Sequence, residues 1–140
     1  MRKYLCIALM LLVVAVNSHA QHGKRFDYEK FKTEMINFIV AEAELTAAQE
    51  QKFRPVCEVM LSQKRTLFKR LRETNKATYT TNEEYKNAIR TIDKLELDMK
   101  SLEKTYHNQL LRLLPANKVF LIMRAESRFH RQAFRKAAAK

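Results

Sequence analysis

An all-α fold, drawn out into an elongated four-helix hairpin-like domain, follows from three features of this 140-residue sequence. Turn-forming residues are scarce: Gly23 is the single glycine, and Pro55 and Pro115 are the two prolines. An all-β or α/β chain would have little to build its turns from. Apolar residues recur at steps of three and four along most of the chain. Two capping boxes, Thr46 with Gln49 and Thr81 with Glu84, mark helix starts.

The first twenty residues read as a secretory leader. Arg2 and Lys3 supply its positive end, Tyr4 to Val16 its apolar run, and Ser18-His19-Ala20 a small-x-small cleavage site. The run is shorter than the ~20 residues a bilayer span needs. Cys6 lies inside it without the small residues that precede a lipoprotein cleavage site. The mature chain is expected to begin near Gln21, with residues 21–140 forming one domain.

Tyr28, Phe31, Met35 and Phe38/Ile39 space out a first helix from Asp27 to Ala43. Thr46 starts the second, whose inward series is Phe53, Cys57, Met60, Leu67 and Leu71, with Lys64 at the remaining position. Pro55 predicts a kink or break within it, because proline removes a backbone donor and crowds the preceding turn. Cys57, the one cysteine beyond the leader, lies on the apolar face and is expected to be buried. Thr74 to Asn82 reads as a loop. A third helix from Glu83 to Leu114 carries the stripe Tyr85, Ile89, Ile92, Leu95, Met99, Leu102, Tyr106, Leu110 and Leu113. At 1.5 Å per residue it spans roughly 48 Å. Its three-four steps suit a long helix–helix seam. Pro115 is expected as the first residue of a fourth helix, with Val119, Ile122, Met123 and Phe129 inward and an Ala-rich tail that frays. Helices this long in so short a chain leave one apolar side poorly covered, and a homodimer is the expected remedy.

The formal charge is +12; the leader holds two of the 27 Lys and Arg, leaving 25 against 15 Asp and Glu, or +10. Export argues against nucleic acid as a partner and leaves membrane surfaces, acidic polymers and polypeptides. Two basic arcs stand out. Arg65, Lys69, Arg72 and Lys76 recur at steps of four, three and four, and Arg124, Arg128, Arg131 and Arg135 repeat those steps. At about 100° per residue each set occupies a narrow sector opposite the apolar stripe. Such an arc is ordinarily a solvated face, yet eight like charges in two matching arcs exceed what solubility requires. Leu61, Phe68 and Phe120 sit on the shoulders between stripe and arc, where an unfolded chain would meet both charge and apolar surface. The same three residues could serve a dimer interface.

The stretch Leu45-Thr46-Ala47-Ala48-Gln49, set between a leader and basic helices, resembles the L-T-x-x-Q signature of the Spy/CpxP family of bacterial periplasmic proteins. Family members carry a second such motif near the last helix. Here Leu114-Pro115-Ala116-Asn117-Lys118 keeps only its leucine, so no capping box can form there. The resemblance implies an antiparallel, cradle-shaped homodimer. It further implies an ATP-independent periplasmic chaperone holding unfolded periplasmic or outer-membrane proteins on a basic, partly apolar surface. Its alternative is a metal- or envelope-stress-sensing regulator that binds a membrane sensor protein.

For metal binding the residues offer His22, His107 and His130, and a Glu103–His107 pair four apart. Such a pair is more often a surface interaction than a ligand set, and neither an HExxH sequence nor a zinc-spaced cysteine pair occurs. No metal or other cofactor is expected. Neither is catalysis: one glycine excludes phosphate-cradling loops, Ser62, Ser101 and Ser127 lie in predicted helices without a nucleophile elbow, and Cys57 packs rather than reacts.

Overall fold

Three of the four helix starts among the described residues are set by side chains three residues ahead of the amide they accept from. The computed structural model describes residues 25–139; the expected leader and His22 lie outside the described residues. Four helices follow one another: α1 (Tyr28–Glu42), α2 (Ala47–Lys76), α3 (Asn82–Leu113) and α4 (Ala116–Ala138). Asp27 caps α1 by accepting from the Lys30 amide at 3.1 Å. Thr46 and Thr81 form both expected capping boxes, their own amides donating in return to the side-chain oxygens of Gln49 and Glu84. No strand occurs among the described residues, and no helix there is long and apolar enough to cross a membrane.

Leu45-Thr46-Ala47-Ala48-Gln49 closes one helix as well as opening the next. The Leu45 amide donates to the Val40 carbonyl and the Glu44 amide to the Ala41 carbonyl, both at 3.1 Å. These are the paired bonds of a Schellman ending, with Glu44 in the left-handed region at φ 49°. A residue with a Cβ is strained there, and Lys118 of α4 secures the turn. Its Nζ donates to the Ala43 carbonyl at 3.0 Å and to the Glu44 carbonyl at 2.8 Å. Lys118 therefore ties the start of α4 to the α1–α2 turn.

α2 and α3 pack as a long antiparallel hairpin, α1 pairs with α4, and the two pairs meet through α1–α2 and α3–α4. α2 and α4 are thus diagonal to one another. Where all four helices meet, a head is formed around Met35, Ile36, Ile39, Phe53, Cys57, Tyr106, Leu110 and Ile122, none more than 2% exposed. Beyond Lys64 and Glu103 the hairpin continues alone as a stalk, in which Leu95 is the one fully buried large residue.

Several expectations are corrected. Of the kink or break expected at Pro55, the break is excluded, since α2 runs through it as one helix; the proline is exposed, so water can take the carbonyl it leaves unpaired, while buried Phe53 and Cys57 hold the helix on either side. The loop is shorter than Thr74 to Asn82. Thr74 and Asn75 remain helical, their side chains bonded back to the Arg70 and Leu71 carbonyls, which leaves 77–81. Pro115 caps α4 from outside rather than starting it, and α4 continues through the alanines to Ala138 instead of fraying. Tyr85 and Ile89 are over half exposed, because no third helix covers the stalk tip. Ala88 takes the seam position four residues before Ile92, and Tyr85 meets Tyr79 edge to face with ring centroids 5.6 Å apart. Leu113 and Met123 are also largely outside the core.

Candidate functional site

The basic arcs are present, but on diagonal helices, flanking α1. Arg65 of the α2 arc lies 4.0 Å above the Tyr28 ring at one end of α1. Arg128 of the α4 arc pairs with Glu42 at the other end. Lys69 makes a long, exposed contact with Glu73 at 3.9 Å, of the kind that contributes little. Arg72, Lys76, Arg124, Arg131 and Arg135 are exposed and make no ion pair among the described residues. One monomer therefore presents two separate cationic strips rather than a single basic face.

Apolar surface accompanies both strips, with one correction. Leu61 is buried, 7% exposed, and belongs to the head core, because α1 covers that flank of α2. Phe68 and Phe120 are exposed at 51% and 60%. Two side chains that the sequence reading passed over are more open still: Leu97 at 70% and Phe134 at 76%. Phe120, Met123 and Phe134 fall within about 60° of helical arc beside the α4 arginines. The spacing of these three residues carries that signal, although only Phe120 borders the core stripe closely enough to stand out from periodicity alone.

At the join of head and stalk lies a polar cluster. Lys64 of α2 pairs with Glu103 of α3 at 2.7 Å, and Lys100 takes the other oxygen at 3.0 Å. Burial pushes the Glu103 carboxyl up, but the two ammonium groups outweigh it and hold it below the usual carboxylate range. Deeper in, the Tyr106 hydroxyl donates to Glu126 at 2.7 Å. Burial raises the Glu126 carboxyl and pushes the Cys57 thiol up to about 12. A protonated thiol is no nucleophile. Burial depresses the His107 imidazole, with Lys64 and Lys100 pushing the same way against Glu103. His130 is depressed likewise, mainly by lost solvation, where its ring meets Phe31 and Phe129. With both Glu103 oxygens held by lysines, the Glu103–His107 pair is poorly suited to a cation. No group of three or more His, Cys, Asp or Glu among the described residues is placed to hold a metal.

Two grooves follow the hairpin. One, of about 420 Å³, runs along Pro55, Val56, Val59, Gln109, Arg112 and Leu113, and is where Leu113 turns out to lie. The other, of about 610 Å³, crosses the stalk between Phe68 on α2 and Leu97 and Met99 on α3, with Asp93 and Glu96 on its wall. No protein-family model, curated protein or solved structure matches this chain.

Proposed function

We propose that this is a periplasmic, ATP-independent chaperone-like protein of the Spy/CpxP kind, acting as a homodimer. It binds unfolded or stress-damaged proteins on the cationic, partly apolar strips of α4 and α2. The observation that carries this reading is the outer side of α4, where Arg124 lies one turn beyond Phe120. The arginine is without an ion pair among the described residues and the phenylalanine is 60% exposed. Arginine without a local counter-charge draws in chains with acidic stretches over a distance set by the ionic strength. The adjacent aromatic surface then offers an unfolded segment a site that needs no fixed sequence. A folded protein, whose apolar side chains are inside, would gain only the electrostatic part. The leader read from residues 1–20 supports the compartment, and the L-T-x-x-Q resemblance supports the class.

The test is suppression of aggregation of a chemically unfolded substrate by the purified mature chain without nucleotide. Suppression at stoichiometric ratio is expected. None at equimolar or excess protein, at low and moderate salt alike, would remove the proposal. Arg72→Glu, Lys76→Glu and Arg124→Glu together should slow client capture several-fold, most at low salt. An unchanged rate would return the strips to the status of ordinary solvated faces.

A further inference from the structure

We infer that two copies of this chain join through the stalk groove, each copy receiving the end of the other's α4. The inference rests on the homodimer part of the reading above and supplies its contact. The groove has an apolar floor of Phe68, Leu97 and Met99. Its two basic residues, Lys64 and Lys100, are both occupied by Glu103. Asp93 and Glu96 are exposed and make no ion pair among the described residues. In a chain with so large a basic surplus, an apolar groove whose unpaired charges are both acidic calls for a cationic segment with one large apolar side chain.

The chain carries such a segment. Arg131, Phe134 and Arg135 lie at i, i+3 and i+4 on one side of α4. Phe134 is 76% exposed and the two arginines are without ion pairs among the described residues. Asp93, Glu96 and Leu97 repeat the same spacing on α3. A helix laid into the groove can set Phe134 between Phe68 and Leu97 while its arginines meet the two carboxylates, the usual helix-in-groove mode. Because each copy owns both halves of the contact, a two-fold arrangement makes it twice and closes the assembly. Arg131 and Arg135 are then used in self-association, and Arg124, Arg72 and Lys76 remain for clients.

The molar mass of the full mature chain is followed by sedimentation across micromolar concentrations. A dimer is expected, with Asp93→Lys/Glu96→Lys and Arg131→Glu/Arg135→Glu each weakening it on the order of tenfold or more. A chain carrying all four reversals should regain the dimer. All four side chains are exposed, and circular dichroism verifies that the helices are kept. Separately tagged Leu97→Cys and Phe134→Cys chains, mixed and oxidised, should form a mixed disulfide, since Cys57 is buried. A monomeric wild type, a dimer indifferent to both reversals, or an internal disulfide in the chain bearing both cysteines overturns the contact. Aggregation suppression is measured on the same samples. A monomer that still suppresses aggregation removes this contact and the homodimer but leaves the chaperone reading, and a dimer without suppression removes the chaperone reading but leaves the contact.

Discussion

The head and the stalk are built from the same two helices, yet they hold together differently. In the head, α2 and α3 are roofed by α1 and α4, and Phe53, Cys57, Tyr106 and Leu110 are sealed from solvent. In the stalk the identical hairpin lacks a roof. Leu67, Leu71, Ile92 and Met99 are only partly covered, and Phe68, Ile89 and Leu97 are largely exposed. An amphipathic helix stripe wider than a two-helix seam needs a third neighbour to bury it. The stalk therefore shows its surplus apolar area, and the proposed docking site is a consequence of that missing layer.

The contrast can be broken by mutation. Phe53→Ala empties a fully buried site and should cost about 3–5 kcal/mol in denaturant unfolding. Leu95→Ala should cost about 2 kcal/mol, at the low end for a buried leucine, because the open stalk can collapse around the gap. Hydrogen exchange should show its effect confined to the stalk; equal costs with global exchange would mean the two regions are one cooperative unit. The capping threonines come next. Thr46→Ala and Thr81→Ala should each cost about 1 kcal/mol. The first should lower the global transition and the second chiefly loosen the stalk tip.

The two regions should also respond to acid with opposite signs. Glu126 in the head has its folded-state pKa raised, so the folded chain binds the proton more tightly than the unfolded chain. Its favourable contribution is complete below the unfolded value of 4.5 and is lost as pH rises through the folded value. Glu84 at the stalk tip accepts from Thr80 and Thr81, which hold it down at about 2. Its contribution is present above 4.5 and is lost as pH falls toward 2. Glu126→Gln should therefore gain melting temperature on wild type as pH rises from 4 to neutrality. Glu84→Gln should approach wild type as pH falls below 4.5. A parallel trend for both variants would contradict this assignment. The smallest effect belongs to Tyr28→Phe. The buried Tyr28 hydroxyl has no hydrogen-bond partner, so the change should be within about 0.5 kcal/mol, and a large loss would reveal an unseen partner.

Much of the fold was legible because its signals are local. Asp27, Thr46 and Thr81 cap the amides three residues on, and their helices begin within a residue of the expected positions. The candidate surface was half legible. Both arcs could be read from spacing, and Phe68 and Phe120 are indeed exposed. Leu61 lies at a similar angular offset from the α2 stripe as Phe68 but is buried. The two differ only in whether α1 reaches that level of α2, which periodicity does not encode. Lys118 was equally hidden, because its partners are carbonyls more than 70 residues away.

By itself, the sequence determined where the first three helices start and which side of each helix is apolar, since hydrogen bonds and side-chain spacing within a few residues decide both. Only the tertiary structure decided which apolar sides are covered. It placed the two cationic strips on the two neighbours of α1, set the half-buried Glu126 against Tyr106, and left the groove at Phe68 and Leu97 open. The physical reason is that burial depends on how far one helix extends along another, a distance set by the packing of all four.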